Sequence, residues 1–311
     1  MRVDINFNNL LMLAPLAGYT DLPFRSVVKK FGVDITVSEM ISSHALKFNS
    51  SKTLKMIEKS PLESPYSVQL SGNKEDVLVD SIRILNEKSG IDIIDLNCGC
   101  PAPKVSSHGS GSGLLKDLNL LVKLVKIIKI NSNKPYTSVK VRLGFDKKIP
   151  LELSYALNDS GADFVVVHGR TKLDSYKKDR IDYQSIALMK EKLNIPLIAN
   201  GDIDSYDKAM EVMKITNANG VMIGRAALKA PWIFFQLKNN LSSMPNVIKR
   251  DVVLEHFESM IKFYGKRGCI MFRKNLHNYA MGESNAVMFR NKVNSLVEID
   301  DMRDAIINFF K

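Results

Sequence analysis

The chain has 311 residues, 45% of them hydrophobic and 25% charged, with 44 lysines and arginines against 33 acids, a formal net charge of +11 and a pI near 9.4. This length can bury a large core, and no uninterrupted apolar run approaches the roughly 20 residues that cross a bilayer, so no membrane association is expected. Asp4 lies in a polar N-terminal stretch without a signal-peptide pattern, which places the expected protein in the cytoplasm.

Up to Gly224, short apolar runs recur with helical segments between them. Strands are expected at residues 11–15, 35–38, 66–70, 91–97, 137–142, 164–168, 197–200 and 220–224, each short and apolar as buried parallel strands are. Helices are expected at 23–31, 74–88, 114–130, 151–160, 183–193 and 205–216, where apolar residues recur at three- and four-residue spacing. In the third of these, Leu114, Leu118, Leu121 and Val125 share a face. Strand alternating with helix predicts a parallel sheet closed into a (β/α)8 TIM barrel, with an open doubly wound sheet as the alternative. Residues 41–65 have weak periodicity and read as a long active-site loop with a short helix.

After Gly224 the pattern changes. Residues 231–235 begin a helical stretch, and residues 242–247 look like a linker broken by Pro245. Four amphipathic segments follow at 252–264, 269–281, 285–297 and 301–310, separated by Gly265 and Gly268, by Gly282, and by an acidic turn at 298–301. They predict an all-α four-helix bundle, and hence two domains, a barrel at 1–241 and a helical domain at 242–311. Between Lys262 and Lys292 seven basic residues face one acid, Glu283, and Phe263, Tyr264, Phe272, Tyr279 and Phe289 are interleaved with them. Basic side chains neutralise phosphates and aromatic faces stack on unpaired bases, so the mixture suits a folded RNA; a solvated helix face with core aromatics is the plain alternative.

The stretch Ile91-Asp92-Ile93-Ile94-Asp95-Leu96-Asn97-Cys98-Gly99-Cys100-Pro101 runs a buried strand into a thiol. Taken alone, that thiol reads as structural, because free cysteine is among the most buried residue types. Three cysteines (Cys98, Cys100, Cys269) are too few for a disulfide framework, and the Cys-Gly-Cys pair lacks a second pair or clustered histidines, so no metal is expected.

The other strand ends change the reading of Cys100. Strand one ends in Ala14-Pro15-Leu16-Ala17-Gly18, small residues that let a flat ring approach the backbone. Later strands carry Gln69, Asn97 with Cys100, Lys140 with Arg142, His168-Gly169-Arg170, Asn200-Gly201-Asp202, and Gly224-Arg225. Loops after strands seven and eight of such barrels often bind phosphate, and Gly201, Gly224 and Arg225 suit that role. Together these groups describe a pocket for flavin mononucleotide (FMN), with Lys140 near the N1–O2 edge of the ring and Gln69 on its pyrimidine edge.

These residues resemble the tRNA-dihydrouridine synthases, most closely the bacterial B-type members. The shared motifs are Ala14-Pro15-Leu16-Ala17-Gly18-Tyr19-Thr20-Asp21-Leu22-Pro23-Phe24-Arg25, Val37-Ser38-Glu39-Met40, Asp95-Leu96-Asn97-Cys98-Gly99-Cys100-Pro101, Val167-His168-Gly169-Arg170-Thr171, Ala199-Asn200-Gly201-Asp202-Ile203 and Met222-Ile223-Gly224-Arg225-Ala226-Ala227. The resemblance runs from about Leu11 to the C-terminus and is looser after Trp232. It implies a flavin-bearing barrel with a C-terminal helical tRNA-binding domain. The implied reaction saturates the C5–C6 bond of a D-loop uridine, with NADPH (or NADH) recharging the flavin.

Carried onto this sequence, the resemblance makes Cys100 the general acid that protonates C5 as hydride reaches C6, with Asn97 orienting the base or flavin. Pro15, Leu16, Ala17, Gln69, Lys140, His168, Asn200, Gly201, Asp202, Gly224 and Arg225 form the implied flavin site. Arg170 is assigned to flavin phosphate or to tRNA, and Arg142, Arg273 and Lys274 to tRNA. An ordinary thiol, with a pKa of about 8.5, is still protonated at neutral pH and suits the acid role. Cys98 receives no catalytic role. A monomer with no obligate protein partner is expected.

Three departures stand out. Leu16 replaces the family's usual methionine, a near volume-conserving change. The loop Ser106-Ser107-His108 is less basic than its counterparts, and Asn275 and Asn278 stand where B-type members usually have histidine and tryptophan. The rival readings are a flavin enzyme acting on a small metabolite on the same barrel, and a non-catalytic RNA-binding protein that keeps the fold.

Overall fold

The computed structural model describes residues 3–243 and 249–310. Nine strands are formed among the described residues: β1 (Leu10–Leu13), β2 (Thr36–Val37), β3 (Ile41–Ser42), β4 (Tyr66–Ser71), β5 (Ile93–Cys98), β6 (Tyr136–Arg142), β7 (Phe164–His168), β8 (Leu197–Asn200) and β9 (Gly220–Ile223). All pairings are parallel, in the order β1-β9-β8-β7-β6-β5-β4-β2, with β3 also on β4. A parallel bridge from Met12 to Ile35 closes the circle, so the fold is the expected (β/α)8 barrel.

The ninth strand arises because one stave is interrupted. β2 meets the start of β4 at Tyr66 and β3 meets its end at Leu70, on either side of residues 38–40. Two other expectations need correction. Residues 41–65 are not one loop with a single helix: they hold β3 and two short helices, Ser43–Lys47 and Ser51–Met56, the first capped by the Ser42 hydroxyl. The helix expected at 114–130 is split, because Leu114 lies in a 3₁₀ segment, Gly111–Lys116, while Asp117 accepts from Leu120 N and starts a new helix, Leu118–Asn131. The linker expected at 242–247 falls mostly outside the described residues, and Pro245 wholly so.

Alternation along each strand divides the core in two. Leu10, Met12, Ile93, Phe164, Val166, Ile198 and Met222 fill the barrel, whereas Leu11, Leu13, Ile94, Leu96, Val165 and Val167 face the helices. Ile5 and Phe7 pack against the interior cluster, with the Phe7 ring 5.3 Å from that of Phe164.

Behind β1, the helix Leu22–Lys30 is tied to the barrel by a buried ion pair. Arg25 Nε donates to Glu63 Oε1 at 2.7 Å, both side chains fully buried, and Glu63 also accepts from Thr36 Oγ1 at 2.7 Å and Ser60 N at 2.8 Å. This cluster ties β2 and the helix behind β1 to the chain that leads into β4.

Four C-terminal helices follow the barrel: Lys249–Tyr264, Arg267–Tyr279, Ala286–Ser295 and Ile299–Phe309. They share their own core, including Phe257, Phe272, Leu276, Tyr279, Phe289, Met302 and Ile306. Glu298 precedes the last helix and Asp300 and Asp301 lie in its first turn, where the helix dipole favours acids, so the turn expected at 298–301 is mostly helix. Phe272, Tyr279 and Phe289 are buried, and Lys55 stands over the rings of Phe263 and Tyr264. The plain alternative therefore holds for these aromatics: they pack within the protein. The bundle meets the barrel through Phe24 against His256, Lys30 on Glu255 at 2.6 Å, Lys55 Nζ donating to Phe263 O at 2.7 Å, and Lys274 Nζ donating to Gly18 O. Among the described residues no helix is long and apolar enough to cross a membrane.

Candidate active site at the mouth of the barrel

β5 hands its last residues to a turn built around Asn97. Asn97 Oδ1 accepts from Cys100 N at 2.9 Å and Gly99 N at 3.2 Å, while Cys100 O accepts from Ser112 N at 3.1 Å and Ser112 Oγ at 2.8 Å. Gly111, at φ +56°, lets the 3₁₀ segment close on this turn: a Cβ there would stand 3.0 Å from Cys100 O and 3.1 Å from Cys100 Cβ. Cys100 is half-buried at a cavity of about 430 Å³. Cys98 belongs to the core between strands and helices, and burial, with Asp95 adding to it, pushes its thiol well above the ordinary value.

The same cavity is lined by Pro15, Leu16 and Ala17 after β1, Gln69 on β4, Asn97 near the end of β5, Cys100 after it, Lys140 and Arg142 on β6 and His168 on β7. Lys140 Nζ donates to Asn200 Oδ1 at 2.9 Å, and Asn200 Nδ2 donates to Met222 O at 2.7 Å, which fixes the Asn200 amide. Burial, followed by the neighbouring Arg142 charge, pushes Lys140 down to about 8. Burial and the cations Lys140, Arg142, Arg170 and Arg225 hold His168 well below its ordinary value, so at neutral pH it is an uncharged imidazole. Arg170 Nη1 lies 3.3 Å from His168 Nε2, which makes Nε2 the acceptor and leaves the proton on Nδ1.

The Lys140 value carries a pH signature. Between about 8 and the ordinary 10.5 the unfolded chain holds a proton that the folded chain has released, so this group's contribution to stability rises with pH across that window. Urea unfolding of flavin-free protein should therefore show stability rising from pH 8 to 10 more steeply in wild type than in Lys140→Met. Parallel profiles would refute the assignment.

Beside the cavity, Asp202, at φ +46°, gathers two arginines: it pairs with Arg170 Nη2 and accepts from Arg225 Nη2 at 2.6 Å. Burial opposes ionisation of Asp202, but the two arginines outweigh it and hold its carboxyl below the usual range. Gly201 cannot carry a side chain: at φ +128° a Cβ would meet Ile181 Cδ1 at 2.4 Å and His168 Cδ2 at 2.9 Å. Gly224 precedes the short helix Arg225–Lys229, and its hypothetical Cβ would touch Ala14 Cβ at 3.5 Å and Leu16 Cδ2 at 3.8 Å, so the ends of β1 and β9 are close neighbours.

The model of the family described as "Dihydrouridine synthase (Dus)" matches residues 12–309. The chain belongs to the dihydrouridine synthase family. A relative named "Probable tRNA-dihydrouridine synthase" from Helicobacter pylori (strain J99) is 61% identical over 308 residues, covering 99% of this chain and 94% of its own. "tRNA-dihydrouridine synthase B" from Pseudomonas syringae pv. tomato is 36% identical over 313 residues, covering 97% and 92%. Among solved structures, the 6-hydroxypseudooxynicotine amine oxidase from Pseudomonas geniculata N1 shares the fold, at 11% identity and a TM-score of 0.59 over 80% of this chain and 50% of that one.

In this dihydrouridine synthase family chain, nine of the residues singled out from the sequence meet at one cavity, and Asn200 joins them through Lys140. Arg170, Gly201, Asp202, Gly224 and Arg225 stand outside its lining. Arg170 is fully buried and donates to Asp202 and to Lys177 O at 2.8 Å. Arg142 is likewise only 1% exposed and donates to the carbonyls of Gly99 (2.8 Å), Thr171 (2.8 Å) and Ser175 (2.9 Å), which ties the turn after β5 to the loop after β7. Arg273 Nη2 donates to Leu296 O at 2.6 Å within the bundle, and Lys274 reaches back to Gly18 with its ammonium 5.1 Å from the Tyr19 ring centroid. The more open cations of that region are Lys262, Lys266, Arg267 and Lys292, of which Lys266 pairs with Glu298 at 2.9 Å.

Sequence reading missed Met40, Ser175 and Tyr176, which also line the cavity. Met40 follows the interrupted stave and was readable as a strand end. Tyr176 stands in the loop after β7, its ring 5.2 Å from the Arg142 guanidinium carbon and 5.3 Å from that of Arg225, and no strand-end rule points that far along a loop.

Proposed function

We propose that this chain is an FMN-dependent tRNA-dihydrouridine synthase that reduces the C5–C6 bond of a D-loop uridine, with NADPH (or NADH) as the source of electrons. The observation that carries it is the meeting of Cys100, Lys140, His168, Gln69 and Asn97 in one cavity beside the small-residue segment 15–17. The residues present fit a flavin. The cavity's volume of about 430 Å³ lies in the ordinary range for ligand sites, its wall after β1 is small and apolar, and it offers amide N–H groups and a cation. Flavin mononucleotide, when bound, supplies the hydride. Pro15, Leu16, Ala17, Gln69, Asn97, Lys140, His168 and Asn200 would hold the ring system, and Gly201, Gly224 and Arg225 its phosphate, with Asp202 and Arg170 setting the position of Arg225.

Cys100 does the proton chemistry in this reading. Its thiol donates to C5 of the uridine, and the thiolate is then reprotonated from solvent through the open mouth. Neutral His168 contributes polarity without a second positive charge, and Arg142 holds the turn after β5. Residues 1–241 act as the catalytic barrel and residues 242–311 as the tRNA-binding domain of a cytoplasmic monomer. Asn275 is buried and Asn278 donates to Lys274 O at 3.0 Å, so both departures sit beside Lys274 in the bundle.

Two measurements test the proposal. Purified protein should show flavin absorbance or take up added FMN, and tRNA from cells lacking the gene should lose a mapped dihydrouridine. Failure to bind FMN sinks the reading. NADPH-driven reduction of free pyrimidines but not of tRNA selects the small-metabolite rival.

A further inference from the structure

The hydrogen bonds along one wall of the cavity run in a single direction, and they begin at a carboxylate that no strand-end reading selected. Asp95 lies on β5 two residues before Asn97, so the two side chains project to the same face, and Asp95 is only 4% exposed. Its Oδ1 accepts from Ser138 Oγ on β6 at 2.6 Å, and its Oδ2 accepts from Gln69 Nε2 on β4 at 2.7 Å. Gln69 Oε1 accepts in turn from Asn97 Nδ2 at 2.6 Å. Asn97 Oδ1 then accepts from the backbone N–H of Cys100 and Gly99.

An ionised carboxylate can only accept, so the amide facing it must present N–H and turn its carbonyl the other way. The same requirement passes from Gln69 to Asn97, and from Asn97 to the turn that carries the thiol. Burial pushes the Asp95 carboxyl up to about 6, against the Ser138 and Gln69 bonds and the Lys140 charge, which still leaves it mainly ionised at neutral pH. Each amide keeps one N–H without a protein partner among the described residues, and both side chains line the cavity. This wall therefore offers donors.

We propose that Asp95 is a positioning residue of this site. Through Gln69 and Asn97 it sets the wall to receive an acceptor-rich ring edge, such as the dione edge of a pyrimidine or flavin, and it holds the backbone of Cys100. The ring-edge half rests on the flavin and uridine reading, whereas the half that concerns Cys100 does not. Without an acceptor at position 95, both amides rotate freely between two polarities and Asn97 releases the Cys100 N–H for part of the time.

The test uses Asp95→Leu, which removes the acceptor without opening a void for water, and backbone hydrogen exchange on flavin-free protein. Exchange at Cys100 should quicken at least tenfold while amides in β7 stay within twofold of wild type. In flavin-loaded enzyme, kcat for dihydrouridine formation should fall at least tenfold with KM for tRNA within threefold. A purely structural role would lower thermal stability without this local exchange signature or this kcat-against-KM split. A folded variant with wild-type exchange at Cys100, or with quickened exchange but unchanged kcat, overturns the proposal. If Asp95→Leu does not fold, the double variant Asp95→Val/Ser138→Ala, which also leaves no acceptor at position 95 and strands no hydroxyl, decides by the same two readouts. Wild-type protein that takes up no FMN would sink the proposed function instead and leave the exchange result to stand by itself.

Discussion

Replacing Cys100 by alanine should lower dihydrouridine formation about 10²–10⁴-fold, the usual worth of a positioned general acid, while flavin binding is retained. The turn survives the substitution because its anchors are backbone groups: Cys100 N is held by Asn97 Oδ1, and Cys100 O by Ser112. The check is single-turnover reoxidation of reduced enzyme by tRNA, with the visible spectrum reporting bound flavin. Cys98→Ala is the matched control. Cys98 is fully buried in the core, so its loss should cost about 1 kcal/mol of stability and little turnover. Equal kinetic losses in the two variants would mean that the two cysteines do not divide the labour in this way.

The largest expected effect on stability comes from the opposite side of β1. Glu63→Ala should destabilise the protein by about 3–5 kcal/mol, because it leaves Arg25 charged and fully buried without the carboxylate it is paired to. Thr36 Oγ1 and Ser60 N lose their acceptor in the same step. Urea unfolding at pH 7 is the measurement, and the double variant Arg25→Met/Glu63→Ala should regain part of the loss by removing the stranded charge. A single-variant loss below about 1 kcal/mol would show that solvent reaches Arg25 once Glu63 is gone.

Much of the fold was legible because burial imposes periodicity on neighbouring residues. The runs at 164–168 and 197–200 became β7 and β8 without shift, and the ends of the four C-terminal helices lie within three residues of where amphipathic spacing put them. The interruption of the stave was not legible: the run at 35–38 became β2, but β3 has only two residues and is too short to carry a period. The split before Leu118 was marked only by Asp117, whose capping role depends on where its side chain turns.

The candidate site divides in the same manner. Chain direction in a parallel barrel brings every strand's C-terminal end to one face, so residues as distant as Pro15 and His168 could be listed from sequence and do line one cavity. Their partners could not be named in that way. Arg170 and Arg225 converge on Asp202, Arg142 is taken up by three carbonyls, and Lys274 turns to Gly18 rather than outward.

By itself, then, the sequence determined the family, the barrel, the bundle and the set of strand ends that face the mouth, since each follows from residue type and order along the chain. Only the tertiary structure decided which polar groups remain free to meet a ligand. That outcome depends on contacts between residues far apart in sequence, such as Asp95 with Gln69 and Gln69 with Asn97, and on the rule that a buried donor must find an acceptor wherever the fold happens to supply one.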